Sequence, residues 1–104
     1  MNTMTDMGEQ LDVKLLLTTL MALKKGDFSV RMPDDWTGVS GKIADTLNDI
    51  IETKQKMVET VTEVSRVVGR EGHLTQRADL PGVVGGWSTM ISSVNTLIDD
   101  LVRP

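Results

Sequence analysis

The aliphatic residues of this chain fall into three segments in which they recur every three or four positions, the spacing of one helix face. In the first segment the stripe consists of Val13, Leu16, Leu20 and Leu23. Asp6 and Glu9 have the spacing of an N-terminal capping pair. Gly26 follows two lysines and is suited to a left-handed C-terminal turn. The pattern predicts a first helix from about Asp6 to Lys25.

The second segment is the longest, because residues 42–68 contain neither glycine nor proline. Its stripe alternates in steps of four and three, and its members are Ile43, Leu47, Ile50, Lys54, Met57, Val61, Val64 and Val68. This heptad spacing predicts one helix about 40 Å long whose narrow seam needs other helices to cover it. Lys54 interrupts the seam. Two compatible interpretations explain it: the stripe changes phase there and the lysine faces solvent, which we favour as the main cause, and the lysine forms a weak polar layer between two packings.

Two segments rich in glycine and proline separate the helices, and we expect them to be irregular connectors. They cover residues 26–41, with Pro33, and residues 72–87, with Pro81. Ser88 is a candidate N-cap for a third helix. The apolar stripe of that helix consists of Met90, Val94, Leu97 and Leu101.

The chain contains an internal repeat. Residues 26–31 (GDFSVR) align with residues 72–77 (GHLTQR) at a shift of 46, and the stripe after each connector aligns at a shift of 47. Each unit is therefore a helix, a glycine, a connector and a second helix, and the long helix belongs to both units. Leu23 lies three residues before its glycine, whereas Val68 lies four residues before Gly72. This difference predicts different helix rotations in the two units.

Connector length indicates how the helices are arranged. About 15 residues is more than a tight hairpin needs, so the two helices of a unit can run parallel. One chain supplies only two helices per unit, which is too small a core. We expect an all-α parallel homodimer of two stacked four-helix bundles. The predicted bundle core comprises Val13, Leu16, Leu20, Leu23, Ile43, Leu47, Ile50, Met57, Val61, Val64, Val68, Met90, Val94, Leu97 and Leu101.

Large apolar residues of the connectors are predicted to pin them against the helices. Trp36 and Trp87 have two interpretations, a platform for a ligand or an anchor for the connector, and we favour the anchor. The predicted anchors are Phe28, Trp36, Val39, Leu74, Val84 and Trp87. The predicted turn and cap residues are Gly26, Pro33, Gly72 and Pro81.

Composition narrows the possible functions. The absence of cysteine excludes a disulfide scaffold, thiol catalysis and a cysteine zinc site. Eleven Lys and Arg against 15 Asp and Glu argue against nucleic-acid binding. The single histidine, His73, is predicted to be an exposed connector residue, and residues 81–86 (PGVVGG) lack the Gly-Lys-Ser/Thr of a phosphate loop. We predict no catalytic, cofactor-binding or metal-binding residue.

A set of motifs occurs in the same order in both units. Residues 26–28 (GDF) and 72–74 (GHL) each open a connector that contains a proline, and residues 94–97 (VNTL) follow the second connector. This set, repeated over about residues 10–103, resembles the HAMP signal-relay module. The tandem arrangement is similar to the poly-HAMP arrays of cytoplasmic hybrid sensor histidine kinases. The Asp-Glu-x-Gly usual in that family is replaced by residues 38–41 (GVSG) and 85–88 (GGWS).

The resemblance implies a function and an organisation. It implies a non-enzymatic, cytoplasmic relay that passes conformational change along a dimeric two-component histidine kinase by altered helix packing or rotation. The implied partners are a second copy, adjacent HAMP units and a downstream kinase, with neither nucleic acid nor membrane insertion. The units are a lead-in at residues 1–9, a first unit at 10–56 and a second at 57–104, with 42–70 as the shared helix. The alternative is a purely structural dimeric coiled-coil spacer.

Overall fold

The computed structural model describes residues 11–102, which form three α-helices and one π-helical turn, with no strand among these residues. Helix α1 spans Val13–Lys24, α2 spans Gly38–Ser65 and α3 spans Gly86–Val102. The π turn, Arg66–Arg70, follows α2 directly. The predicted all-helical fold class is confirmed for these residues, and none of their helices is long and apolar enough to cross a membrane.

Helix α1 begins later than predicted because Asp12 caps it. The carboxylate Oδ1 of Asp12 accepts a hydrogen bond from the backbone N–H of Leu15 at 3.0 Å. A side-chain oxygen at this position satisfies an N–H group that has no partner inside the helix. Leu11 and Asp12 are not helical, so the predicted start at Asp6 was wrong. Asp6 and Glu9 themselves lie outside the described residues.

Helix α1 ends in a glycine turn. Gly26 has a φ of 89°, a left-handed conformation that favours glycine. Its N–H donates to the Leu23 carbonyl at 2.9 Å, and the Asp27 N–H donates to the Ala22 carbonyl at 3.0 Å. This pair of bonds is the Schellman arrangement, which satisfies carbonyl groups that the helix leaves open.

Helix α2 begins at Gly38, four residues before the predicted start at Lys42. Residues 38–41 are therefore its first turn and not the end of the connector. Gly41 was predicted to be the last residue of the irregular connector, but its N–H donates to the Thr37 carbonyl at 3.0 Å. A Cβ at Gly41 would lie 2.3 Å from the carbonyl oxygen of Trp36. The glycine therefore permits the connector backbone to pass close to the helix.

Helix α3 also begins earlier than predicted, at Gly86. Ser88 is therefore not its N-cap, and Trp87 lies in the first helical turn instead of the connector. The Thr89 N–H donates to the Gly85 carbonyl at 3.0 Å, which closes that turn. Gly85 has a φ of 60°, so the chain enters the helix through a conformation that favours glycine.

The chain divides into two compact units, with the boundary between Gln55 and Lys56 inside α2. The boundary placed from the repeat, between residues 56 and 57, lies one residue further on. Among the described residues, unit 1 contains α1, the first connector and the N-terminal part of α2. Unit 2 contains the rest of α2, the π turn, the second connector and α3.

Each unit buries a short set of side chains, and each set includes one connector residue. Val64, Val68, Ala78 and Ile98 form a cluster in unit 2, with Ile91 and Val94 packed against it. The other buried residues of unit 2 are Met57 and Val67. The buried residues of unit 1 include Thr19, Met32, Ser40, Ala44 and Ile51. Met32 and Ala78 are the connector residues in these sets.

Candidate interaction site

In each unit, one asparagine of the second helix clamps the connector. The side-chain Oδ1 of Asn48 accepts from the Met32 N–H at 2.7 Å, and its Nδ2 donates to the Met32 carbonyl at 3.0 Å. Asn95 makes the same two bonds with Ala78, at 2.7 and 3.0 Å. The side-chain amide thus satisfies both backbone groups of a buried connector residue, as a neighbouring strand would.

The repeat aligns Asn48 with Asn95 at the shift of 47, but the sequence analysis assigned no contact to either residue. Met32 and Ala78 were not among the predicted anchors. The only signal was repetition: the same amide residue occurs at the same position of both units. An alignment of this kind marks a position, but it does not reveal which backbone groups lie opposite.

A connector arginine adds a second link in unit 1. The Nη1 of Arg31 donates to the carbonyl oxygens of Phe28 and Val30 at 2.8 and 2.7 Å. Its Nη2 donates to Oε1 of Gln55, on α2, at 2.7 Å. The guanidinium group therefore holds the turn after Gly26 closed and ties it to the helix, using the planar fork of donors that arginine provides.

The equivalent link in unit 2 carries a charge. The Nη1 of Arg77 donates to the carbonyl oxygens of Leu74 and Gln76 at 2.7 and 2.8 Å. Its Nε and Nη2 lie 3.0 and 2.8 Å from Oδ1 of Asp99, on α3. The connector turns are thus held in the same way, but the helical partner is an amide in unit 1 and a carboxylate in unit 2.

Lys54 makes a contact that neither sequence interpretation included. Its side chain is half-buried, and its Nζ lies 5.9 Å from the centroid of the Phe28 ring. An ammonium group within about 6 Å of a ring centroid is attracted to the ring face. The lysine on the predicted seam therefore covers the first connector anchor of unit 1.

The predicted anchors differ in burial. Phe28, Trp36 and Trp87 are half-buried. Val39 and Val84 are 66% and 74% exposed within the single chain. Val39 lies in the first turn of α2, where it faces the groove described next. The remaining predicted anchor and cap residues are Leu74, Gly26, Gly72 and Pro81, which are exposed, and Pro33, which is half-buried.

Helices α1 and α2 leave an open apolar groove of about 430 Å³ in unit 1. Three seam residues that line it, Leu20, Ile43 and Ile50, are 44%, 38% and 43% exposed. The full lining is Leu16, Leu20, Val39, Lys42, Ile43, Thr46, Leu47 and Ile50. Five residues of the predicted bundle core therefore come together in this groove.

Unit 2 has a smaller groove, of about 280 Å³. Val64 on α2 and Val68 in the π turn are buried, whereas Leu97 and Leu101 on α3 are 62% and 59% exposed. The full lining is Val64, Ser65, Val68, Gly69, Val94, Leu97, Ile98 and Leu101. The predicted core residues found in neither groove are Val13, Leu23, Met57, Val61 and Met90.

A group of ion pairs lies at the end of α2 in unit 2. The Nη2 of Arg66 lies 2.6 Å from Oε2 of Glu63, and its Nη1 bonds the Glu71 carboxylate. The bond with Arg66 lowers the pKa of Glu63 and raises that of the arginine. His73 is exposed, with Nδ1 3.8 Å from Oε1 of Glu71. No group of acidic and histidine residues among residues 11–102 is arranged to hold a metal ion.

No protein-family model matches the chain, and no solved structure matches it. The resemblance to tandem HAMP units therefore rests on the sequence motifs alone.

Proposed function

We propose that this chain is a signal-relay segment of two HAMP-like units that acts within a dimeric sensor histidine kinase. The observation that carries the proposal is the open aliphatic groove in each unit, lined by residues of the predicted seam. Contiguous exposed aliphatic side chains favour a surface that packs against a partner. A second copy supplies matching side chains, because a two-fold axis places identical seam residues opposite one another.

The relay works through packing and not through a chemical step. A parallel bundle has two arrangements of its seam residues that differ by helix rotation, and about 5.5 kcal/mol of differential binding moves such an equilibrium from 1:99 to 99:1. Helix α2 supplies residues to both units, so its rotation is common to both. The asparagine clamps tie each connector to its second helix, so the two shift together.

A single cysteine tests the dimer, since the chain has none of its own. In a parallel dimer, Ile50→Cys on the seam is expected to form a disulfide with its copy under mild oxidation, because the axis brings both copies of this position together. The matched control is Thr62→Cys, an exposed position of the same helix off the seam. Sedimentation equilibrium at several concentrations gives the mass. A monomer throughout, or equal cross-linking of both variants, contradicts the proposal.

Lys54→Leu separates a relay from a spacer when the chain is joined to its kinase. Leucine completes the apolar seam, so a relay is expected to show altered kinase output, whereas a rigid spacer keeps its output unchanged. Phe28→Leu is the control, since it removes the ring under Lys54 and leaves the seam as it is. If the two variants change the output equally, the effect comes from the lost ring contact and the seam argument fails.

A further inference from the structure

The first helices of the two units end at equivalent glycines with unequal spacing. Three positions separate Leu23 from Gly26, and four separate Val68 from Gly72. One residue added to an α-helix turns everything after it by about 100°. Without compensation, the second connector would therefore leave its helix in a different direction from the first.

The second connector nevertheless meets the same clamp. Asn95 holds Ala78 with bonds of 2.7 and 3.0 Å, the lengths found between Asn48 and Met32. The extra residue between Val68 and Gly72 is therefore accommodated before the chain reaches Gly72.

The π turn takes it up. The Glu71 N–H donates to the Arg66 carbonyl, five residues back, at 3.2 Å. The His73 N–H donates to the Val67 carbonyl, six residues back, at 3.0 Å, whereas the corresponding bond after α1 spans five residues. Each hydrogen-bonded turn thus contains one more residue than the turn after α1. Gly72 nevertheless keeps a left-handed conformation, with a φ of 73°.

Two features hold the wide turn in place. Val67 and Val68 are consecutive and both are buried, at 9% and 8% exposure. Arg66 bridges the turn, with Glu63 before it and Glu71 at its far end. The first feature is apolar and belongs to the core of unit 2, whereas the second lies at the surface and responds to salt.

We propose that the π turn is a two-register element that the Arg66 bridge holds in the π register. In the other register α2 continues with α-helical bonds, the Glu71 N–H bonds the Val67 carbonyl, and the added residue moves into the turn before Gly72. Val68 then rotates relative to the groove of unit 2, while the Asn95 clamp stays closed. π turns inside helices are rare, and those that occur are frequently found at functional sites, which agrees with this role. The switch itself does not depend on the relay; only its use in signalling rests on the proposed function.

Amide hydrogen exchange of the full chain tests the bridge. Arg66→Gln removes both ion pairs, and Arg70→Gln is the matched control, since it removes the same charge from the same turn without touching the bridge. The amide of His73 is expected to exchange about two- to fivefold faster in Arg66→Gln than in the control, because in the other register the Val67 carbonyl bonds the Glu71 N–H instead. The Ala78 amide, held by the clamp, is expected to exchange equally in both. Equal rates at His73 in the two variants, or acceleration that includes Ala78, overturns the proposal.

Deletion of Gly69 tests the register directly, because it gives unit 2 the spacing of unit 1. The shortened chain is expected to form an ordinary Schellman end and to keep the protection of the Ala78 amide. Arg66→Gln is expected to have no effect on exchange in that background. Deletion of Lys24 is the control, since α1 has no added residue to lose and its connector must turn by about 100°. If both deletions lower the melting temperature equally, the π turn is not a removable insertion and the proposal fails.

Discussion

Unit 1 and unit 2 contain the same kind of asparagine clamp, but their first helices end in different ways. Asn48 and Asn95 hold their connectors by the same two bonds, although α1 ends in a Schellman turn and α2 in a π turn. The comparison teaches that the clamp, and not the exit of the first helix, determines where the connector lies. Buried backbone groups without a partner are costly, so the helix end adjusts to preserve the clamp.

The units also differ in how closely the connector approaches the second helix. In unit 1 the Trp36 carbonyl lies where a side chain at Gly41 would begin, whereas the aligned position of unit 2 is Ser88, an exposed residue. The arginine links differ in charge, since Arg31 meets Gln55 and Arg77 meets Asp99. Four sets of substitutions separate what is common to the units from what is particular to each.

The largest effect is expected from removing a clamp. Asn48→Ala and Asn95→Ala should each lower the free energy of unfolding by about 3 kcal/mol, because each leaves one N–H and one carbonyl of a buried connector residue unpaired. Urea denaturation at fixed protein concentration measures this loss. Asp49→Ala and Thr96→Ala, at exposed neighbouring positions, are controls expected within about 0.5 kcal/mol of the parent. Unequal losses for the two asparagines would show that the clamps are not equivalent.

A methyl group at Gly41 should be the next most harmful change. Gly41→Ala is expected to cost about 2 kcal/mol, since the new Cβ forces the Trp36 carbonyl away from the helix. Ser88→Ala, at the aligned position of unit 2, should change the free energy of unfolding by less than about 0.5 kcal/mol. The same denaturation experiment compares them, and a neutral Gly41→Ala would mean that the close approach is not required.

Exchanging the arginine partners should exchange the salt dependence of the units. Asp99→Asn is expected to cost about 0.5 kcal/mol at low ionic strength and nearly nothing at 1 M salt, because exposed ion pairs are weak and screened. Gln55→Glu should add a gain of similar size that salt removes. The measurement is the midpoint of urea denaturation at two salt concentrations. If neither variant alters the salt dependence, the charge on the helix plays no part in holding the connector.

The smallest expected effect is on the loss of stability at low pH. Asp27 accepts hydrogen bonds from the Ser29 hydroxyl and N–H at 2.5 and 3.0 Å, and these bonds lower the pKa of Asp27. The stabilisation is complete above the ordinary aspartate pKa of about 3.9 and is lost as the pH falls through the lower folded value. Between pH 6 and pH 2, the parent should therefore lose more stability than Asp27→Asn. Thermal melts across this range measure the difference, and parallel curves for the two proteins would exclude it. The residue of unit 2 that aligns with Asp27 is His73.

Part of the structure was predictable because it depends on local properties of the chain. Aliphatic spacing indicated three helices, and all three are present among the described residues. The same spacing placed Leu20 on the stripe of the first helix and Ile43 and Ile50 on the stripe of the second, and the three residues share one groove. The heptad pattern does not show which seam residues a single chain leaves open, since that depends on how far apart its helices lie.

The predictions and the structure differ where distant contacts outweigh local preference. Gly41 lies inside α2, although glycine disfavours a helix interior, because a close backbone neighbour leaves no room for a side chain. Val39 and Val84 were expected to anchor connectors on account of their apolar side chains, and both are exposed within the single chain. Met32 and Ala78 are buried instead, held by backbone bonds that do not depend on the type of side chain.

The sequence by itself determined the helical class, the approximate position of each helix and the seam, since these follow from periodicity and from glycine at turns. Only the tertiary structure decided where α2 and α3 begin, which connector residues are buried and how the added residue before Gly72 is accommodated. Asn48 and Met32 are 16 positions apart, and Asn95 and Ala78 are 17 apart. The energy of such clamps arises between segments that meet only after folding, so neither segment carries a local pattern that predicts it.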